Sequence, residues 1–312
     1  MPWRRCWTLS RLTVAVVVFF LAMEAPAQVA RVFLSGTGDD LNDCSNAATP
    51  CRSLQGAINQ SPANGEVIVL TSGGFGTANI TKSLTINAPD GIVAFNARTI
   101  NVAIGATDTV VIRGLSMNGA VFGDLYGIHF TAGGTLVVEN SIVDGFFESI
   151  FQSAPGSRLI VNNCELRNGT TGMDTSAGSS TTTYFTANDS RFLNNSFAGV
   201  HASAAAVGVV KNSVISGNRY GFFFTGLMTG DPKIMIDHCV IAHNATANDS
   251  DGIRAQDFSG LPYDVEVRVT NSDIYGNTIG LFTANAAIVS YGTNHLWNNT
   301  TDGAFSSTVA QP

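Results

Sequence analysis

One short phrase is written seven times between Leu136 and Asn299, and it constrains the fold more than any other feature of the chain. It reads LVVENSIVDG (136–145), LIVNNCELRNG (159–169), YFTANDSRFLNN (184–195), GVVKNSVISGN (208–218), IMIDHCVIAHN (234–244), VRVTNSDIYGN (267–277) and, more degraded, IVSYGTNHLWNN (288–299). Aligned on the small residue (Ser141, Cys164, Ser190, Ser213, Cys239, Ser272), the copies are separated by 23, 26, 23, 26 and 33 residues. A fixed base period with loop insertions marks a solenoid, in which each unit buries its apolar face by stacking on its neighbours.

The side chains select the kind of solenoid. Each copy opens with β-branched or apolar residues, then a polar residue and a turn former, then a small residue and renewed alternation. This is two short strands of period 2 separated by a bend, without helical periodicity. The regularly spaced leucines of leucine-rich repeats are absent. The pattern predicts an all-β fold, a single-stranded right-handed parallel β-helix rising about 4.8 Å per coil. Equivalent residues should then stack. Asn195, Asn218, Asn244, Asn277 and Asn299 are expected to form a ladder of amides bonded from coil to coil at the turn after the second strand.

Composition agrees with one large all-β core, at 45% hydrophobic, 12% charged and 32 glycines. Residues 1–27 read as an export signal: Arg4, Arg5 and Arg11 precede an apolar run from Leu12 to Met23, and Ala25-Pro26-Ala27 is a small-x-small cleavage site. The run is too short for a stable membrane anchor. Removing those residues takes three of 16 basic and one of 23 acidic side chains, leaving 13 against 22 and a net charge of −9. That acidity argues against nucleic acid or other polyanionic polymers as partners.

An exported chain meets an oxidising compartment. Cys44 and Cys51, with a Gly/Asn/Pro-rich loop around them, are expected to form a disulfide. Cys164 and Cys239 hold the small-residue position of coils three apart, about 14 Å by the strand spacing, and cannot bond to one another. They read as buried apolar fillers, and neither has the spacing of a metal ligand. Sequons occur at Asn79 and Asn244 and matter only in a host that glycosylates them.

The N-terminal segment carries an ordered series: RVFLSGTGDD (31–40), CSNAATPC (44–51), RSLQGAIN (52–59), NGEVIVLTSGGFG (64–76) and ITKSLTINAP (80–89). It resembles the opening of the pectin-lyase-like, right-handed β-helix proteins of bacteria, where a strand and Gly/Asp loop lead to a short capping helix. Here residues 53–59 suit that helix, with Ser53 as N-cap and Leu54 and Ile58 on one face. A cap is required because an open β-helix end exposes strand edges and core. The expected organisation is a signal over 1–27, a cap and first coils over 28–90, the β-helix over 91–305 and a frayed tail over 306–312. Residues 90–135 should continue as coils around Ile92–Phe95, Thr99–Val102 and Val110–Ile112, with RGLSMNG (113–119) an imperfect copy of the repeat. The resemblance implies a fold and leaves the chemistry open, because that group includes lyases, hydrolases, epimerases and adhesins.

Each coil has a second landmark, a Gly (or Ser149) before an apolar-x-apolar strand: GIHF (127–130), SIFQ (149–152), GMDT (172–175), GVHA (199–202), GFFF (221–224), GIRA (252–255) and GLFT (280–283). The middle residue should face outward. That row is His129, Phe151, Asp174, His201, Phe223, Arg254, Phe282 and Phe305, with Asp174 and His201 on adjacent coils. Read as a carbohydrate groove, His129, Phe151, Phe223 and Phe282 contact sugar rings, Asp174 orients His201 as a base, and Arg254 neutralises a uronate or a developing oxyanion. Read as plain surface, the phenylalanines are covered by the loops inserted at 245–252 and 257–266.

A glycosidase needs two carboxylates about 5 or about 6.5–9.5 Å apart, and this row holds only Asp174. Asp189, Asp237 and Asp273, with His238 and His243, fall at the other bend and read as turn residues. The only acidic grouping that could hold calcium is Asp249, Asp251 and Asp257; otherwise no metal or cofactor is expected. No G-x-S-x-G, H-E-x-x-H or phosphate loop occurs. The chain therefore reads as an exported β-helix, periplasmic or extracellular, that binds polysaccharide on its long face. A polysaccharide lyase or glycoside hydrolase is the enzyme alternative, and a structural or adhesive surface protein the third.

Overall fold

The computed structural model describes residues 30–178, 181–227, 230–259 and 265–311, so the segment 1–27 read as an export signal lies outside the described residues. Three sheets run the length of the molecule with twelve, ten and nine strands among the described residues, and every pairing between named strands is parallel. One coil shows the plan: Thr135–Glu139 in sheet 1, Ile142–Asp144 in sheet 2 and Glu148–Gln152 in sheet 3. Leu136, Val138, Val143 and Ile150 point into the core and are fully buried, as period-2 alternation requires. The right-handed parallel β-helix expected from the repeats is the fold observed.

The bend between sheets 1 and 2 explains the polar centre of the repeat. Asn140, Asn163, Asp189, Asn212, His238 and Asn271 all take left-handed backbone with φ between 48 and 51°. Asn and Asp tolerate that region, and a small residue follows so that the chain can turn inward. Its hydroxyl caps the preceding coil: Cys164 N donates to Ser190 Oγ, Ser190 N to Ser213 Oγ and Cys239 N to Ser272 Oγ, each at 3.1 Å. Cys164 and Cys239 are buried free thiols in this row, and burial pushes each thiol up to about 12, which keeps it protonated and inert.

The asparagine ladder forms as expected. Each amide oxygen accepts from both the backbone N–H and the Nδ2 of the asparagine one coil earlier: Asn195 to Asn218 at 2.9 and 3.0 Å, Asn218 to Asn244 at 3.0 and 3.1 Å, and Asn244 to Asn277 at 3.0 and 2.9 Å. The sequon at Asn244 is therefore closed in the folded chain, since this residue is fully buried. Beside the ladder, a Cβ on Gly221 would lie 2.5 Å from the Gly252 carbonyl oxygen and 2.9 Å from Asn244 Nδ2. Glycine recurs at the second landmark because the next coil passes that close.

The ends depart from the sequence reading in one place and follow it in another. Helix α1 spans Leu54–Gln60, Ser53 Oγ accepts from Gly56 N, and Leu54, Ala57 and Ile58 are buried against the first coils. Cys44 and Cys51 are joined, with their Cα atoms 5.2 Å apart. The tail expected to fray is partly ordered: Ser307–Thr308 pairs with Val289 and Ser290, because the last strand of sheet 1 offers an unpaired edge. The segments read as three early coils are instead successive strands, Ala94–Asn96 in sheet 2, Ile100–Ala103 in sheet 3 and Thr109–Arg113 in sheet 1 of the next coil. Short apolar runs signal strands, and three strands make one coil here.

Candidate functional site

Sheet 3 places the outward residues in one unbroken register: Asn79, Asn101, His129, Phe151, Asp174, His201, Phe223, Arg254 and Phe282. Phe305 does not join it. That residue lies past the last strand of the sheet and packs half-buried against the core. The phenylalanines of the row stay partly exposed.

Asp174 and His201 meet as adjacent coils should, with His201 Nδ1 2.9 Å from Asp174 Oδ2. Ser176 Oγ also donates to Asp174 Oδ1. Burial opposes charging of the His201 imidazole, but Asp174, helped by Glu148, outweighs it and raises the pKa. The pair therefore holds a proton on His201 more firmly than an isolated imidazole would.

The structure adds a second carboxyl that the row does not show. Glu148 precedes the Ser149 landmark, and burial pushes its pKa up to about 7, reinforced by Asp174 and eased by the charge of His201. Its Oε2 is buried with no hydrogen-bond partner. The expectation of a single carboxylate here is corrected: Glu148, Asp174 and His201 form one electrostatic cluster. The sequence signal lay one residue before each landmark, from where Tyr126 and Tyr220 reach the rings of the outward row and Asp251 reaches Arg254. That column runs Tyr126, Glu148, Thr171, Ala198, Tyr220, Asp251 and Ile279 in register.

Aromatic rings flank the cluster on both sides. Toward the N-terminus Tyr126, His129 and Phe151 stack, with His129 and Phe151 5.0 Å apart at 14°. Burial lowers the His129 pKa, so this imidazole is neutral at physiological pH. Toward the C-terminus His201 stacks on Phe223 at 5.4 Å and 23°, and Tyr220 and Phe197 pack against Phe223 at 5.1 and 5.3 Å. Between His129 and Phe223 the ring row is interrupted only at Asp174, which leaves Phe151 and His201 two strand spacings apart, roughly 10 Å.

Arg254 does not reach this cluster. It lies two coils beyond His201, also roughly 10 Å by the strand spacing, with Phe223 between them. Its Nε donates to the fully buried Asp251, and its guanidinium is sandwiched by the rings of Tyr220 at 4.8 Å and Phe282 at 4.2 Å. Burial pushes Asp251 up to about 6, with Arg254 opposing. The three acids read as a calcium grouping are dispersed for the same kind of reason. Asp249 holds Arg219 and the Tyr220 hydroxyl, Asp251 holds Arg254, and Asp257 accepts from Ser259. Asp251 and Asp257 begin and end one extended strand, which keeps them roughly 20 Å apart. Among the described residues no group of three or more His, Cys, Asp or Glu is placed to hold a metal ion.

Among solved structures, this chain is similar to the pectate lyase Pel9A, at 14% identity and a TM-score of 0.60 over 89% of this chain and 79% of that one. The chain has the pectin-lyase-like β-helix fold. A second similar structure is the catalytic domain of a GH87 α-1,3-glucanase in complex with tetrasaccharides, at 13% identity and a TM-score of 0.45 over 83% of this chain and 67% of that one. No protein-family model and no curated protein matches the chain. At this identity the likeness concerns the β-helix itself, so the chemistry rests on the residues of this sheet 3.

Proposed function

We propose that the protein is exported and binds a glycan along the outer face of sheet 3. The observation that carries this is the arrangement of two aromatic stacks, Tyr126–His129–Phe151 and His201–Phe223–Tyr220, on either side of a polar gap holding Glu148 and Asp174. Aromatic rings offer sugars an apolar surface, and carboxyl groups between them accept or donate to hydroxyls. The pectate lyase of similar fold acts on a polysaccharide by its name, which supports the same class of ligand here by analogy. The signal-like first 27 residues and the Cys44–Cys51 disulfide support export. No helix among the described residues is long and apolar enough to cross a membrane.

A panel of soluble plant and bacterial polysaccharides tests this reading by affinity electrophoresis. Phe223→Ala is expected to weaken binding by about 0.5–1.5 kcal/mol, a roughly two- to tenfold rise in Kd. Trp297→Ala, on the sheet 2 face, should leave it unchanged. Equal loss from both variants, or none from either, would remove sheet 3 as the binding face.

The raised pKa of Glu148 favours a second reading, cleavage of the bound glycan. A carboxyl held near 7 beside the hydrogen-bonded Asp174–His201 pair is the kind of pairing of acid and base that glycosidic hydrolysis uses. New reducing ends that disappear in Glu148→Gln would establish it, and binding without product would leave the first reading alone.

A further inference from the structure

Resting on the glycan-binding reading, we infer that the ligand of this face is an uncharged glycan and that polyuronates are rejected. The charge inventory of sheet 3 carries the inference. Its nine strands contain no lysine and one arginine, Arg254. That arginine is held by Asp251, and the neighbouring Arg219 is held by Asp249 through Nε at 3.1 Å and through Nη2. At the other end Arg98 is held by Asp124 at 2.8 Å. His201 is matched by Asp174, and His129 is neutral. Arg254, Arg219, Arg98 and His201 therefore each already have a carboxylate.

A chain with a carboxylate on each sugar would bring those groups toward Asp174 and Glu148 with no spare positive charge to receive them. Like-charge juxtaposition at an interface costs several kcal/mol. An uncharged sugar meets the opposite situation. Its C–H faces match the partly exposed rings of Phe151 and Phe223, and its hydroxyls bring no charge toward Asp174 and Glu148.

The test compares the full exported chain on uncharged polymers (xylan, galactomannan, β-glucan, dextran) with polygalacturonate and alginate, at pH 8 and low salt. At least one uncharged polymer should bind, with affinity reduced in Phe223→Ala. Both polyuronates should bind at least about tenfold more weakly, and added salt should narrow that gap by screening repulsion. Asp251→Asn, which leaves the Arg254 charge unmatched, should raise polygalacturonate binding; Asp249→Asn does the same for Arg219 at a more exposed position if the first variant misfolds. A polyuronate bound as tightly as any uncharged polymer, and weakened by Phe223→Ala, would overturn the inference while the binding reading stood. No binding to either class would overturn both.

Discussion

Asn244→Ala should lower the stability of the protein by about 3–5 kcal/mol, seen as a fall in Tm of roughly 5–15 °C. The side chain sits at the centre of the amide ladder and is fully buried. Its Oδ1 accepts from Asn218 N at 3.0 Å and Asn218 Nδ2 at 3.1 Å, and its Nδ2 donates to Ile215 O at 3.2 Å and Asn277 Oδ1 at 2.9 Å. Alanine strands the Asn218 N–H and the Ile215 carbonyl away from water, and each unsatisfied buried group costs about 1–3 kcal/mol. The same change at Asn299, half-buried on the last coil of the ladder, should cost clearly less because water can replace the amide. Thermal denaturation of the two variants decides the matter. Equal losses would show that the ladder is ornament and that the apolar core alone sets stability.

Glu148→Gln should stabilise the protein increasingly as the pH rises from 5 to 8. The carboxyl titrates near its ordinary 4.5 when the chain is unfolded and at about 7 when folded. The folded state therefore binds the extra proton between those values. Stability from this group is fully present below about 4.5 and is lost as the pH climbs through about 7. Glutamine copies the neutral carboxyl and removes the loss. At 1.36 kcal/mol per pKa unit, discounted for the exposed part of the side chain, the variant should gain about 1–2 kcal/mol over wild type at pH 8. At pH 5 the two proteins should be close. Chemical denaturation at both values gives the comparison, and a constant gap would mean that Glu148 ionises in the native protein as it does in water.

Much of the architecture was legible because a solenoid repeats its physics in its sequence. Asn195 to Asn299 announced a ladder, and the row through His129 kept its register as far as Phe282, losing only Phe305 beyond the last strand of the sheet. The candidate site was legible only in half. Asp174 and His201 were found because both occupy the same place after a landmark glycine. Glu148 and Tyr220 were missed because attention to alternation after the glycine passes over the residue before it.

The amino-acid sequence by itself determined the fold class, the coil period, the helical cap at Ser53 and the neighbouring of Asp174 and His201. Each follows from local periodicity and from stacking one repeat on the next. Tertiary structure alone decided which charges are spent on each other. Arg254 was available to a substrate on paper, yet Asp251 and the rings of Tyr220 and Phe282 hold it. Glu148 carries no sequence signal of its own, yet burial beside Asp174 raises its pKa to about 7. Ionisation and pairing depend on desolvation and on distances of a few ångströms across coils, and neither quantity is written in a repeat.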